Sequence, residues 1–217
     1  MENLIQTIAV YALPVIFAIT LHEAAHGYVA RYFGDLTAYA QGRVSLNPLR
    51  HIDLVGTIIV PLSILLLSKM FGKSGFLFGW AKPVPVNFAN LRTPKRDMLW
   101  VAAAGPGINL VMALGWALFL KLQAMAGLGE EFFVEMAQVG IVINVVLAVL
   151  NLLPLPPLDG GRIMVSLLPH RLAWQFARIE PWGFPILILL MATGVLGGVL
   201  SPFIQFFITL INRLFFY

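Results

Sequence analysis

The sequence predicts an all-α polytopic membrane protein, and three observations carry that expectation. Hydrophobic residues make up 59% of the chain and charged residues only 11%, against roughly 25% charged in an ordinary soluble domain. Apolar runs close to the length that crosses a bilayer recur along the chain. The basic residues gather in alternate connecting segments, which is how membrane proteins record their orientation, so the net charge of +4 reads as a topology signal. No basic run interleaves with exposed aromatics, so no nucleic-acid partner is expected. Cysteine is absent, which removes disulfides, thiolate ligands and cysteine nucleophiles together.

The first element is the run Leu4–Tyr32. Its start, MENLIQTIAVYALPVIFAIT, carries Glu2 where a signal peptide would carry positive charge, and it continues into LHEAAHGYVARY without a small-residue cleavage site. It reads as a retained first membrane helix. Four further runs approach the roughly 20 apolar residues a span needs: Leu99–Leu122, Phe132–Leu153, Phe184–Leu200 and Pro202–Phe216. The last two are short and separated by Ser201-Pro202, which predicts a C-terminal helical hairpin over about 184–216. A sixth run, Leu54–Phe71, is interrupted by Pro61. About six membrane segments are therefore expected, one of them re-entrant.

Two stretches are not helical in character. TAYAQGRVSLNPLRHID (Thr37–Asp53) mixes Gly, Pro, Asn and β-branched residues. GFLFGWAKPVPVNFANLRTPKRD (Gly75–Asp97) contains KPVPV, where each proline disfavours helix at the residue before it. A short membrane-associated β-strand or hairpin is expected there. The whole of 1–217 is expected to form a single membrane-embedded domain with a catalytic core over about 4–162.

Charge orients these elements. With the first helix running from outside to inside, Arg31, Arg43, Arg50, Lys82, Arg92, Lys95, Arg96, Arg162, Arg171, Arg178 and Arg213 fall inside. Glu2, Lys121, Glu130 and Glu131 fall outside, with Lys69 and Lys73 as the awkward pair. The cytoplasmic side thus receives the HEAAH end of the first helix.

That HEAAH carries the chemistry. His22 and His26 stand four residues apart and so lie on one helix face, where two imidazoles can grip one metal ion. Glu23 beside them can take a proton from a water that the metal activates. A bare H-E-x-x-H is common by chance, but ionisable groups inside an apolar run are costly and mark function. A catalytic zinc needs a third protein ligand. His51 and His170 lie in basic, loop-like surroundings and read as interfacial. Asp159 in NLLPLPPLDGGR (Asn151–Arg162) is better placed, on backbone that Pro154, Pro156 and Pro157 keep from being helical. Such backbone is tolerated at membrane depth only where protein or a watery cavity surrounds it.

HEAAH near the end of the first helix, AAAGPGIN in the next strong helix and NLLPLPPLDGG closing the third resemble the site-2 proteases, intramembrane zinc metalloproteases. GWAKPVPVN is similar to the segment that lies between their two metal-bearing helices. The resemblance spans about Leu21 to Arg162 and is to a short form without PDZ or CBS domains. It implies one Zn2+ per chain held by His22, His26 and Asp159, with Glu23 as general base. Asn151 would orient substrate or polarise its carbonyl. Asn109 and Asn144 are weaker candidates for that role, since polar groups in membrane bundles often serve as helix–helix glue. Gly105 and Gly107 read as close-packing positions.

The expected activity is hydrolysis of a peptide bond in or near the transmembrane segment of a single-span membrane protein or leftover signal peptide. The expected setting is the lipid bilayer of the cell (inner or plasma) membrane, with the site toward the cytoplasm. The competing reading is a zinc or ion transporter that uses His22, His26 and Asp159 as a transport site. A third is another membrane metallopeptidase with Glu180 as ligand.

The ligand positions also constrain topology. The first helix and the one ending at Leu153 deliver ligands at their C-terminal ends, so they must run parallel. Leu99–Leu122 already supplies the return between them, so a complete crossing by Leu54–Phe71 would leave Asp159 on the wrong side. The chain is expected to come back from that segment in extended form along GFLFGWAKPVPV, against protein and beside the metal site. Such an edge could pair with an unwound substrate, as in strand addition.

Overall fold

The computed structural model describes residues 2–59, 63 and 81–216. Helix α1 spans Glu2–Tyr32 and a one-turn α2 spans Thr37–Ala40. Short 3-10 turns cover Pro48–Arg50 and Phe88–Asn90, and a π-helical stretch covers Leu54–Ile59. The long helices α3 (Pro94–Met125) and α4 (Glu131–Asn151) follow. Then come α5 (Asp159–Leu167), α6 (His170–Ala177), α7 (Glu180–Ala192) and α8 (Val195–Phe215).

Among the described residues, four helices are long and apolar enough to cross a membrane: Ala9–Tyr32, Pro94–Met125, Glu131–Asn151 and Val195–Phe215. The expectation was about six segments. Helix α7 has 13 residues, about 20 Å at 1.5 Å per residue and so shorter than a hydrocarbon core of roughly 30 Å. Most of the sixth candidate, Leu54–Phe71, lies outside the described residues, as does the Gly75–Trp80 part of the proposed return.

The last two helices do not divide at Ser201-Pro202. They divide at Thr193-Gly194, where Gly194 takes φ +74°, and α8 then runs unbroken through Pro202. A left-handed glycine redirects the chain, whereas a proline inside a membrane helix removes one hydrogen bond that neighbouring groups can compensate.

No β-strand occurs among the described residues; Ala81–Asn87 carries no regular secondary structure and forms no ladder. The reason is in KPVPV itself. Along an extended chain alternate N–H groups face the same side, and Pro83 and Pro85 supply none on one of the two edges. On the other edge, Lys82 N–H donates to the His51 carbonyl at 2.9 Å and Val84 N–H is also engaged. The described part of the segment is therefore a strap bound at single points.

The bundle centres on α1, α3 and α4, which pack against one another, with α5 against α3 and α8 against α4. Polar contacts fix the directions. Val101 of α3 meets His26, and Asn109 of α3 meets both His22 and the Ala18 carbonyl, so α3 runs antiparallel to α1. Asn109 also meets Asn144 of α4, and Asn151, two turns further along α4, reaches the level of His22 and Glu23. Helices α1 and α4 are thus parallel and end on the same side. Small residues let the backbones approach: Ala113 and Ala117 of α3 are fully buried, and any side chain at Gly140 of α4 would strike the Trp116 ring.

Candidate metal centre and substrate cavity

His22 and His26 are both buried, one helical turn apart near the end of α1. Each ring is set by the partner of its Nδ1. His26 Nδ1 donates to the Val101 carbonyl at 2.7 Å. His22 Nδ1 donates to Asn109 Oδ1, whose own Nδ2 donates to Asn144 Oδ1 at 2.9 Å and to the Ala18 carbonyl at 3.2 Å. Asn144 Nδ2 in turn donates to the Gly140 carbonyl at 2.8 Å. Because the carbonyls only accept, the whole relay has one polarity, and both rings carry their proton on Nδ1. Both Nε2 lone pairs then face inward.

Asp159 meets them there. Its Oδ2 lies 3.2 Å from His22 Nε2 and 3.3 Å from His26 Nε2, and the two Nε2 atoms are 3.1 Å apart. Among the described residues these three form the only group with metal-ligand spacing. Three lone-pair atoms converging at this spacing are a donor set that could hold a metal cation. Asp159 Oδ2 is buried and lacks a hydrogen-bond donor, as such a ligand should. Three ligands on one face of a tetrahedral zinc, at bonds of roughly 2.0–2.1 Å, would be about 3.3 Å apart, so the donor set fits zinc.

Glycines hold this geometry open. A methyl group on Gly105 of α3 would overlap Nε2 of both histidines, whereas one on Gly107 would meet nothing. Of the two close-packing positions expected, only Gly105 has that role. Asp159 is the first residue of α5, reached after the tight turn that follows α4. There Gly160 lies against the carbonyls of Leu152 and Leu153, leaving no room for a side chain.

Glu23 faces the same space. Its Oε2 accepts from Val84 N–H of the strap at 2.8 Å. The strap is braced by Arg43, whose Nη2 donates to the carbonyls of Lys82 (2.9 Å) and Pro83 (3.3 Å). Beyond the metal centre a cavity of about 620 Å³ opens, lined by Ile19, Leu147, Leu150, Phe184 and Leu187 with Glu23, Asn151 and Arg162 on its polar side. A smaller cavity of about 160 Å³ reaches the metal ligands and shares His22, Glu23, Asn151 and Arg162 with the first.

The structure therefore brings His22, Glu23, His26, Asn151 and Asp159 together. Asn109 and Asn144 are fully buried behind His22 and do not reach the cavity, so the substrate contact suggested for them is corrected to support of a histidine. The signal was present, an asparagine in an apolar helix, but only the fold shows which group it bonds. His51 is buried: Nε2 donates to the Ser45 carbonyl at 2.8 Å, and its own carbonyl anchors the strap. His170 and Glu180 are outside the cluster.

Sequence reasoning missed Asp35. Buried at the end of α1, it accepts from Thr37 N–H (3.0 Å), Asn87 N–H (2.7 Å) and Asn90 Nδ2 (3.2 Å), tying α1 to the segment after the strap. Burial alone would raise its pKa, but these donors and the Thr37 hydroxyl outweigh that and hold its carboxyl below the ordinary range.

A family model described as Peptidase family M50 matches residues 125–193. YwhC of Bacillus subtilis (strain 168), named as a zinc metalloprotease, is 36% identical over 203 residues, which cover 89% of this chain and 84% of that protein. Rip2 of Mycolicibacterium smegmatis, with the same kind of name, is 30% identical over 84% of this chain and 66% of its own. Rip2 of Mycobacterium tuberculosis (strain H37Rv) is 24% identical over 83% of this chain. No solved structure matches.

Proposed function

The chain belongs to the site-2 protease family, peptidase family M50, and is a zinc-dependent membrane metalloprotease; on that premise we propose that it cleaves a peptide bond in or near the transmembrane segment of a membrane protein. His22, His26 and Asp159 hold the zinc and Glu23 is the general base. The observation that carries this reading is the convergence of those three donors beside Glu23 on the wall of an apolar cavity.

Zinc, when bound, supplies a Lewis acid that polarises a carbonyl and acidifies a water molecule. The chain's own residues do the rest. Ile19, Leu147, Leu150, Phe184 and Leu187 accept apolar substrate side chains and exclude bulk water. Glu23 takes the proton from the attacking water and delivers it to the leaving amine, while Val84 N–H steadies the carboxylate. A helical substrate hides its carbonyls, so the segment enters locally unwound. Asn151, whose Nδ2 donates to the Leu147 carbonyl at 3.0 Å, keeps its Oδ1 and second amide hydrogen for that exposed backbone. The substrate class is a single-span membrane protein or signal-peptide remnant. The site faces the cytoplasm across the cell membrane, since the basic segments cluster at the end of the bundle that carries it.

The transporter alternative is not favoured: transport gives Glu23 no reason to stand in the cavity beside His22. The test is zinc content together with cleavage of a single-span reporter, for wild type and Glu23→Gln. The variant should keep about one zinc per chain and lose about 10²–10⁴-fold in cleavage rate. Zinc movement across vesicles by both proteins, with cleavage by neither, would replace the reading.

A further inference from the structure

Arg162 has an unusual position that the reaction as described leaves unused. It lies three residues after Asp159 on α5, hence on the same helix face, and it lines both cavities. Its guanidinium is part-buried and stands 5.0 Å over the Phe88 ring. The Phe88 turn is itself fixed by Asn87, whose side chain accepts from Ala89 N–H and whose N–H donates to Asp35. Among the described residues no carboxylate lies within ion-pair distance of Arg162, although Asp159 and Glu23 share the smaller cavity with it. Among the described residues no hydrogen bond engages its side-chain donors either. A cation positioned by an aromatic face, left without an acceptor and aimed at the junction of a substrate cavity and a metal centre, is poised for an acceptor that arrives from outside.

We propose that Arg162 is a substrate-contacting residue whose guanidinium takes main-chain carbonyl oxygens of the unwound substrate segment and then the carboxylate that cleavage creates. This rests on the protease reading. Unwinding strips the substrate carbonyls of their helical donors in an apolar cavity, where an unpaired acceptor is expensive, and the planar fork of arginine can serve two of them. Hydrolysis converts the scissile carbonyl into a carboxylate, for which the same fork is the natural partner. Arg162 would therefore favour unwinding before cleavage and afterwards slow release of the N-terminal fragment, which carries the new carboxylate.

The test uses zinc-loaded protein in the Glu23→Gln background, which does not turn over, with or without Arg162→Gln. The probe is a dansylated Ala-Leu-Ala-Leu peptide with a free carboxylate, compared with its carboxamide. Any preference contributed by zinc is common to both proteins, so the change in the carboxylate-to-amide affinity ratio isolates Arg162. The ratio should fall about tenfold or more on Arg162→Gln, as loss of a charge-assisted hydrogen bond implies, with zinc content unchanged. Arg162→Lys, which keeps the charge but not the fork, should fall about threefold; it decides the question if the glutamine variant does not fold. An unchanged ratio, equal binding of the two peptides before mutation, or loss of zinc from Arg162→Gln would each overturn the assignment. Failure of the wild type to cleave any single-span reporter would instead sink the protease reading, and it is measured separately.

Discussion

Between α1, α3 and α4 the deepest contacts are polar: His22 to Asn109, Asn109 to Asn144 and the Ala18 carbonyl, His26 to the Val101 carbonyl. Between α4, α7 and α8 they are apolar, with Val145, Val149, Leu187, Leu196, Leu200 and Ile211 forming one cluster. Lipid tails are as apolar as leucine, so in a membrane the second kind of contact gains by close packing alone, while the first is directional and fixes atoms to within a hydrogen-bond length. Both histidines of the candidate metal centre hang from the directional half. The wall of the apolar cavity is shared with the other, through Leu187 and Phe184. Hydrogen bonds fix position in the first half, and close packing alone shapes the second.

Changes inside the polar half should break metal binding first. Asp159→Ala removes a ligand, and zinc affinity, read by chelator competition, should fall by more than about 100-fold with cleavage lost. Gly105→Ala should approach that loss without touching a ligand, because its methyl group occupies the space of both Nε2 atoms, whereas Gly107→Ala should bind zinc as the wild type does. Equal zinc content in the two glycine variants would refute the steric account.

One bond further out, Asn109→Ala leaves His22 Nδ1–H without its partner and should weaken zinc about 10–100-fold. Asn144→Ala, which acts on His22 only through Asn109, should cost less, and a larger loss than at Asn109 would mean that the relay does not run in this order.

The apolar half should respond in the opposite sense. Leu200→Ala leaves a void among α4, α7 and α8 and should lower stability in detergent unfolding by roughly 2 kcal/mol, with zinc affinity of the folded protein unchanged. Loss of zinc in step with stability would erase the distinction between the halves.

The smallest expected effect is one of pH, at Asp35. Its folded pKa lies below the unfolded value of about 3.9, so the stability it contributes is complete above that value and is lost as pH falls through the folded pKa. Protection of the Asn87–Asn90 amides against exchange, taken relative to the intrinsic rate at each pH, should therefore fall below about pH 4 in the wild type. Asp35→Asn should exchange faster already at neutral pH and lose that acid dependence.

Much of the site was legible because its signals are local. H-E-x-x-H is read from helical periodicity, Asp159 from a run of prolines at the end of an apolar helix, and the parallel direction of α1 and α4 from the need to bring both to one metal. The break between α7 and α8 was misread because Ser201-Pro202 looks more disruptive than Thr193-Gly194, although the glycine is the residue that turns the chain. The strap was expected as a strand, since extended propensity is local whereas a ladder depends on donors that KPVPV lacks on one edge.

The sequence by itself determined that this chain belongs in a membrane, which residues could hold a metal, and where helix is forbidden, because those properties depend on side-chain chemistry and near-neighbour sterics. Only the tertiary structure decided that Asn109 bonds His22, that Gly105 leaves room where the two Nε2 atoms meet, and that Arg162 lines the cavity with no carboxylate of the described residues at ion-pair distance. Each of those is a meeting between segments dozens of residues apart. Their partners are selected by how helices pack, and packing leaves no mark at a single position in the chain.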